Sequence, residues 1–355
     1  MIGTVLKERK SAMKKWTGYE RGMNLGGWFS QCGHTKERYE TFITKADIER
    51  IAGWGLDHVR VPVDYNLVED EDGAYKEDGF AYIQRAIDWC QEFHLNMILD
   101  LHKTAGYSFD AGEQEKGFFE EEFYQERFYR LWEEFARRFG RYKNRLAFEI
   151  LNEITDEKLC DAWNRIADNC IRRIRCIVPD IYILVGGYWN NSIASVKALA
   201  LPQDDYIVYN FHCYDPLLFT HQGAAWVKDM PEDFRFDFDH TYEEYYETVK
   251  RVLPEQEAVF PKLDCMKKRF GREFFLSLFA EPVRIAEGRN TMLYCGEYGV
   301  INRVPAVDAL KWYQAIHQAF EYYGIGRAAW NYKEMQYGFV DEHFREVLDD
   351  VIKYL

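Results

Sequence analysis

Basic charge is scarce in this 355-residue chain: 45 Lys and Arg stand against 59 Asp and Glu, a formal charge of −14. A nucleic-acid or anionic-membrane partner would need a basic footprint, so neither is expected. Long apolar runs are missing as well. Residues 1–20 carry basic side chains but no apolar stretch of the ~7–15 residues that a signal peptide needs. Nothing approaches the roughly 18 apolar residues of a membrane span. The expectation is a soluble protein, cytoplasmic or exported by a route the sequence does not show, including secretion after loss of a leader. No CxxC pair occurs among Cys32, Cys90, Cys160, Cys170, Cys176, Cys213, Cys265 and Cys295. They are scattered and several sit in apolar runs, which favours buried reduced thiols over a disulfide framework. The histidines show no HxH, HExxH or Cys/His spacing, so no metal is expected.

What is present is apolar and aromatic. Apolar residues make up 47% and aromatics 17%, with 10 Trp, 25 Tyr and 25 Phe. That is enough for a sizeable core and excludes disorder. An acidic, aromatic-rich chain suits a neutral ligand with flat faces, such as a sugar, although most aromatics are simply core. The length fits one (β/α) barrel of roughly 250 residues plus insertions.

Eight short apolar runs recur along the chain: 21–27, 58–63, 96–101, 146–151, 181–185, 206–211, 291–295 and 326–330. Each is bounded by Gly, Asp, Asn or a charge, as a buried parallel strand should be. Amphipathic stretches separate them. Thr44–Asp47 reads as a capping box, and 80–93, 123–139, 162–177, 306–323 and 343–355 follow as helices. Strand and helix alternating eight times predicts a closed parallel (β/α)8 TIM barrel. The interval after the sixth strand is far longer than a βα connection needs. It is read as a lid or subdomain, residues 213–263, inserted in the strand-six loop, with 264–289 carrying the outer helix. No Pro/Gly/Ser linker flanks it, so 1–355 is read as one domain.

A barrel of this kind places its chemistry at the C-terminal ends of the strands. Those ends carry Asn24, Arg60, His102, Asn152 with Glu153, Asn190, His212 with Tyr214, Glu297 and Trp330. Glu153 ends the fourth strand and Glu297 the seventh, across the mouth from each other. Two facing carboxyls are what glycoside hydrolysis requires, one to protonate the leaving oxygen and one to attack or to activate water. Taken singly, either glutamate reads equally well as a helix cap; taken together with six other polar strand ends, the pair favours the site. Arg60 and Tyr214 can keep a nucleophile ionised. The apolar run before Glu153 suits a general acid. Asn152 can bond a sugar 2-hydroxyl, and His102 and His212 suit sugar hydroxyls or the carboxylates better than a metal. Trp330 is expected to form the stacking floor of a sugar subsite, with Trp28 and Trp189 as further rim aromatics.

The ordered segments Arg21–Trp28, Asp57–Pro62, Leu99–His102, Leu151–Glu153, Asn210–Tyr214 and Gly296–Gly299 resemble glycoside hydrolase family 5, the cellulase family of clan A. Ile207–His212, Phe219–Gln222 and Ala329–Lys333 are similar to its clostridial endoglucanase C branch. The resemblance spans about residues 20–355. It implies a retaining, cofactor-free endo-β-1,4-glucanase acting on β-glucan, with Glu153 as acid/base and Glu297 as nucleophile. Arg60 and Tyr214 would then hold the nucleophile and Asn152 the 2-hydroxyl. His102 and His212 would line the cleft above Trp330. One position departs: Lys103 follows His102 where relatives often carry a second histidine. Xylan, mannan and mixed-linkage β-glucan remain alternative substrates for the same pair, and a non-catalytic carbohydrate-binding barrel is an alternative from another class. A phosphate-ligand barrel would need an anion site where Glu297 and Trp330 stand. A monomer acting on soluble or short chains is expected, with no dockerin-like repeat in view.

Overall fold

Eight parallel strands close on themselves, β1 to β8 in sequence order, in the computed structural model, which describes residues 13–110, 112–261 and 266–355. They are β1 (Arg21–Asn24), β2 (His58–Asp64), β3 (Asn96–Lys103), β4 (Leu146–Glu149), β5 (Ile183–Val185), β6 (Ile207–Cys213), β7 (Met292–Tyr298) and β8 (Gly326–Ala329). Nearly every strand residue is buried, because helices cover the outer face and packed side chains fill the inner one. Cys265 and the expected end of the strand-six excursion at Leu263 lie outside the described residues.

The outer helices follow the apolar periodicity. Helix Lys45–Gly53 starts at a capping box, with the Thr44 N–H donated to the Asp47 carboxylate at 2.8 Å. Glu77–Glu92 buries Phe80, Ile83, Ala86, Ile87 and Cys90 along one face, and Glu122–Phe139 buries Phe128, Leu131, Trp132 and Phe135. Cys160–Arg175 and Ala306–Tyr323 do the same with Trp163 and Trp312 at their centres.

Two units depart from strict alternation. Between β5 and β6 there is no long helix, only the short turns Tyr188–Asn191 and Ile193–Ala198. The segment 343–355, read as a helix, is broken into short pieces at 342–344, 348–351 and 352–354. The Arg21 and Arg327 guanidiniums donate to the carbonyls of Ile352 and Leu355 and fix the chain end against the barrel.

The sixth strand runs through Cys213, so the excursion begins at Tyr214. It carries the capped helix Tyr242–Val252 and then the outer helix Arg272–Gly288. An aromatic cluster ties it down: Tyr245 stacks on Phe270 at 4.1 Å, Phe270 meets Phe274 at 4.7 Å, and Phe275 meets Trp312 at 5.6 Å. At the other end of the barrel Trp16 stacks on Tyr19 at 3.9 Å. The pair packs on Ile98, Ala147, Leu184, Val208, Met292 and Ala328, and closes the floor. Of the described cysteines, all free, Cys176 is exposed and Cys32 and Cys160 are half-buried, against the expectation of burial throughout.

Candidate active site

Arg60, at the centre of β2, is fully buried and organises the barrel mouth. Its Nε and Nη2 donate to both oxygens of Glu149 at 2.7 and 2.8 Å. Nη2 also reaches Asn152 Oδ1 at 2.8 Å and lies 3.0 Å from Asp100. Nη1 donates to Asn24 Oδ1 at 3.0 Å and to Glu297 Oε1 at 2.7 Å. One guanidinium thus faces three carboxylates, and their combined field outweighs burial to hold its pKa above the ordinary value. The fork geometry is what arginine offers and lysine does not.

Glu297 is aimed by a bulge. β6 and β7 pair in register up to Phe211 and Cys295; one residue is then skipped, so His212 lies opposite Glu297. Gly296 is the skipped residue. A Cβ there would stand 2.7 Å from Asn210 Oδ1, which instead accepts the Gly296 N–H at 2.9 Å. The second Glu297 oxygen accepts the Tyr214 hydroxyl at 2.8 Å. An arginine and a phenol therefore hold the two oxygens separately.

Glu153 follows β4 and is fixed at both ends. Its carbonyl accepts the Tyr107 hydroxyl at 2.8 Å. Its carboxylate Oε1 meets His212 Nδ1 at 2.8 Å, and its Oε2 accepts the Asn190 amide at 2.7 Å. Burial raises the Glu153 pKa, as a group that must carry a proton needs. Burial lowers His212 to about 4, so its imidazole is neutral near neutral pH. An oxygen of Glu153, a ring nitrogen of His212 and an oxygen of Glu297 all lie within 4.8 Å of one another. Carboxylate, imidazole and carboxylate form a donor set that a divalent cation accepts. The N–H and O–H donors already on both carboxylates suit proton and carbon chemistry equally well.

Not all of the sequence-predicted residues meet at one place. Arg60, Asn152, Glu153, His212, Tyr214 and Glu297 converge on one point. Asn24 supports them from below, its amide donating to the Gly296 carbonyl at 2.9 Å and its oxygen accepting from Arg60. His102 is 2% exposed, held by Asp100 at 2.6 Å, with the Phe109 edge on one side and Trp330 lying parallel at 6.0 Å. Trp330 is 6% exposed and backed by Gly26, where any Cβ would strike the indole. Trp28 is a correction. It is fully buried, stacked on Phe29 at 3.9 Å, with its N–H on the Tyr39 carbonyl, so it is core and not rim. Trp189 is 47% exposed at the mouth. Lys103 is nearly buried and turned to Glu113, 2.8 Å away.

Several residues were missed. Asp100 and Glu149 are fully buried, and burial raises both, Asp100 to about 7. Asn210 bridges Glu149 to β7, donating to Glu149 at 2.9 Å and accepting the Gly296 N–H at 2.9 Å. A charge in the middle of an otherwise apolar strand was the available signal. The turn after β5 is also unusual: Trp189, Asn190 and Asn191 all have left-handed backbones, with φ of 49°, 56° and 54°. Asparagine tolerates this region; for an indole it costs about 1–2 kcal/mol. Gly186 allows the turn to close, since a Cβ there would overlap the Asn191 amide.

Residues 12–336 match the family model described as cellulase, glycosyl hydrolase family 5. The chain is 46% identical over 317 residues to cellodextrinase A of Ruminococcus flavefaciens, covering 89% of this chain and 86% of that protein. It is 35% identical over 340 residues to endoglucanase C of Acetivibrio thermocellus, covering 95% and 98%. Among solved structures it is similar in fold to endoglucanase Cel5A of Thermotoga maritima, with a TM-score of 0.75 and 20% identity over 95% of this chain and 97% of that one.

Proposed function

Because the chain belongs to glycosyl hydrolase family 5, the cellulase family, we propose that it cleaves β-1,4-glucosidic bonds in β-glucan chains as a retaining endoglucanase. The observation that carries this reading is the approach of Glu153 and Glu297, with oxygens within 4.8 Å of each other. Double displacement needs carboxyl groups ~5–5.5 Å apart, whereas inversion needs roughly 6.5–9.5 Å to seat a water between them.

Glu297 attacks the anomeric carbon as the glycosidic C–O bond breaks, and Glu153 gives its proton to the departing oxygen. A water then surrenders a proton to Glu153 and its oxygen attacks the same carbon, releasing Glu297 and restoring the starting states. Arg60 and Tyr214 donate to the two Glu297 oxygens and orient the carboxyl group for its attack and its release. Asn152, on Arg60 at 2.8 Å, is placed for the sugar 2-hydroxyl. Trp330 offers its face beneath the ring. The likeness to a cellodextrinase supports short soluble β-glucan chains as substrates.

Reducing-sugar release and product lengths on carboxymethylcellulose, barley β-glucan, xylan and mannan test the proposal, with the first-formed anomer read by NMR. Preference for the β-1,4-glucans and a β product are expected. No hydrolysis across the panel leaves a carbohydrate-binding barrel, and an α product removes the double displacement. Glu297→Gln should abolish turnover while an oligosaccharide still binds by calorimetry.

A further inference from the structure

The left-handed turn after β5 touches the site at two points. The Asn190 amide nitrogen donates to Glu153 Oε2 at 2.7 Å. Next to it, the Asn191 amide lies 3.4 Å from His212 Nε2, and the opposite ring nitrogen, Nδ1, is 2.8 Å from Glu153 Oε1. One three-residue turn thereby reaches both oxygens of the carboxyl group, one directly and one through an imidazole. The turn is itself pinned, since the Asn190 N–H donates to the Ile154 carbonyl at 2.9 Å, one residue past Glu153. Trp189, half exposed, stands at its head on the same side of the mouth.

We propose that Asn190 is a positioning residue for the proton transfer: its side-chain N–H fixes the plane of the Glu153 carboxyl and selects the oxygen that exchanges a proton with the glycosidic oxygen. This rests on the reading of Glu153 as acid/base. An amide donor occupies one lone pair of Oε2 and leaves the other for the proton in flight. In the first step that proton passes from the carboxyl to the leaving oxygen as the C–O bond breaks. In the second it returns from water. The amide takes no proton at any point. A donor bond also favours the charged carboxylate, so Asn190 works against the burial that raises Glu153. The other charged and titratable groups facing Glu153 are His212, Glu297, His102, Arg60, Asp100, Tyr214 and Tyr107.

Asn190→Gly is the informative substitution, because glycine keeps the positive φ and removes only the donor. Asn190→Asp serves as the second variant, since aspartate also tolerates this backbone and, when ionised, offers no donor while its charge pushes the Glu153 carboxyl further in the same upward direction. Each is assayed on cellotetraose, whose leaving group needs a proton, and on 2,4-dinitrophenyl β-cellobioside, whose leaving group does not. The expected result is a fall in kcat/KM of roughly 10–100-fold on cellotetraose and of less than about threefold on the aryl glycoside, with the alkaline limb of the pH profile moved upward. Equal losses on both substrates, or an alkaline limb that stays in place, would overturn the proposal and leave the turn a structural feature. Glu153→Ala with azide and the aryl substrate tests the underlying reading separately. A β-glycosyl azide product sustains it, and its absence removes Glu153 from the role whatever Asn190 does.

Discussion

Replacing Asp100 by asparagine should make the stability of this protein much less sensitive to pH. Asp100 is fully buried in β3, with Oδ2 2.6 Å from His102 Nδ1 and 3.0 Å from Arg60 Nη2, and with no hydrogen-bond partner at Oδ1 among the described residues. Burial lifts its pKa from the ordinary 3.8 to about 7. The unfolded chain therefore gives up this proton near pH 4 while the folded chain holds it to about pH 7. Between those limits the folded state binds more protons, so stability falls as pH rises, and the loss is complete above pH 7. Some three pH units at about 1.4 kcal/mol each amount to roughly 4 kcal/mol. Asparagine has no proton to lose. Its stability relative to wild type should rise by about 4 kcal/mol between pH 4 and pH 8, with half of the gain near pH 5.5. Urea unfolding followed by tryptophan fluorescence at pH 4, 5.5 and 8 measures this, provided the two proteins share an m-value. A difference that is flat to within about 1 kcal/mol, or that grows in favour of aspartate, would show that Arg60 and His102 compensate the buried charge fully.

Two further outcomes follow from the geometry. Tyr214→Phe deletes the hydroxyl that Glu297 accepts at 2.8 Å. A hydrogen bond to a charged group is worth about 1.5–3 kcal/mol, so kcat/KM on cellotetraose should drop by roughly 10–100-fold at unchanged melting temperature; a drop below twofold means the phenol does not hold the nucleophile. Trp28→Ala should cost about 3–5 kcal/mol of stability as a core truncation while KM for cellotetraose stays constant. A raised KM at unchanged stability would instead return Trp28 to a sugar subsite.

The barrel was legible because burial on both faces makes each strand a short, mostly apolar run. Asn96–Leu101 and Tyr206–Phe211 could be read as strands from their short apolar runs despite Asp100 and Asn210, and Ala306–Tyr323 as a helix from its apolar stripe. Glu153 and Glu297 were legible as carboxylates beside apolar runs. The rest depended on facts that no linear pattern holds. The skipped register at Gly296 arises from contact with Asn210, three strand positions into the neighbouring strand. Glu149 looks like a flaw in an apolar run until Arg60 is seen to grip both its oxygens. Trp28 and Trp189 are the same residue type after comparable loops. A stacked Phe29 buries one, and a left-handed backbone presents the other. The segment 343–355 has helical spacing, but it runs as short pieces whose end is tied to the barrel by arginines from β1 and β8, a contact no linear pattern shows.

The stacked Trp16 and Tyr19 under the strands bear on the order of events in a turnover. They stopper the barrel from below, so traffic to Glu153 and Glu297 passes through the upper mouth. The sugar that leaves in the first step and the water that completes the second then use the same doorway, in opposite directions. Departure of the leaving group must precede entry of water, and a slow departure lengthens the life of the glycosyl-enzyme. A second sugar waiting at that doorway would compete with water for the same carbon.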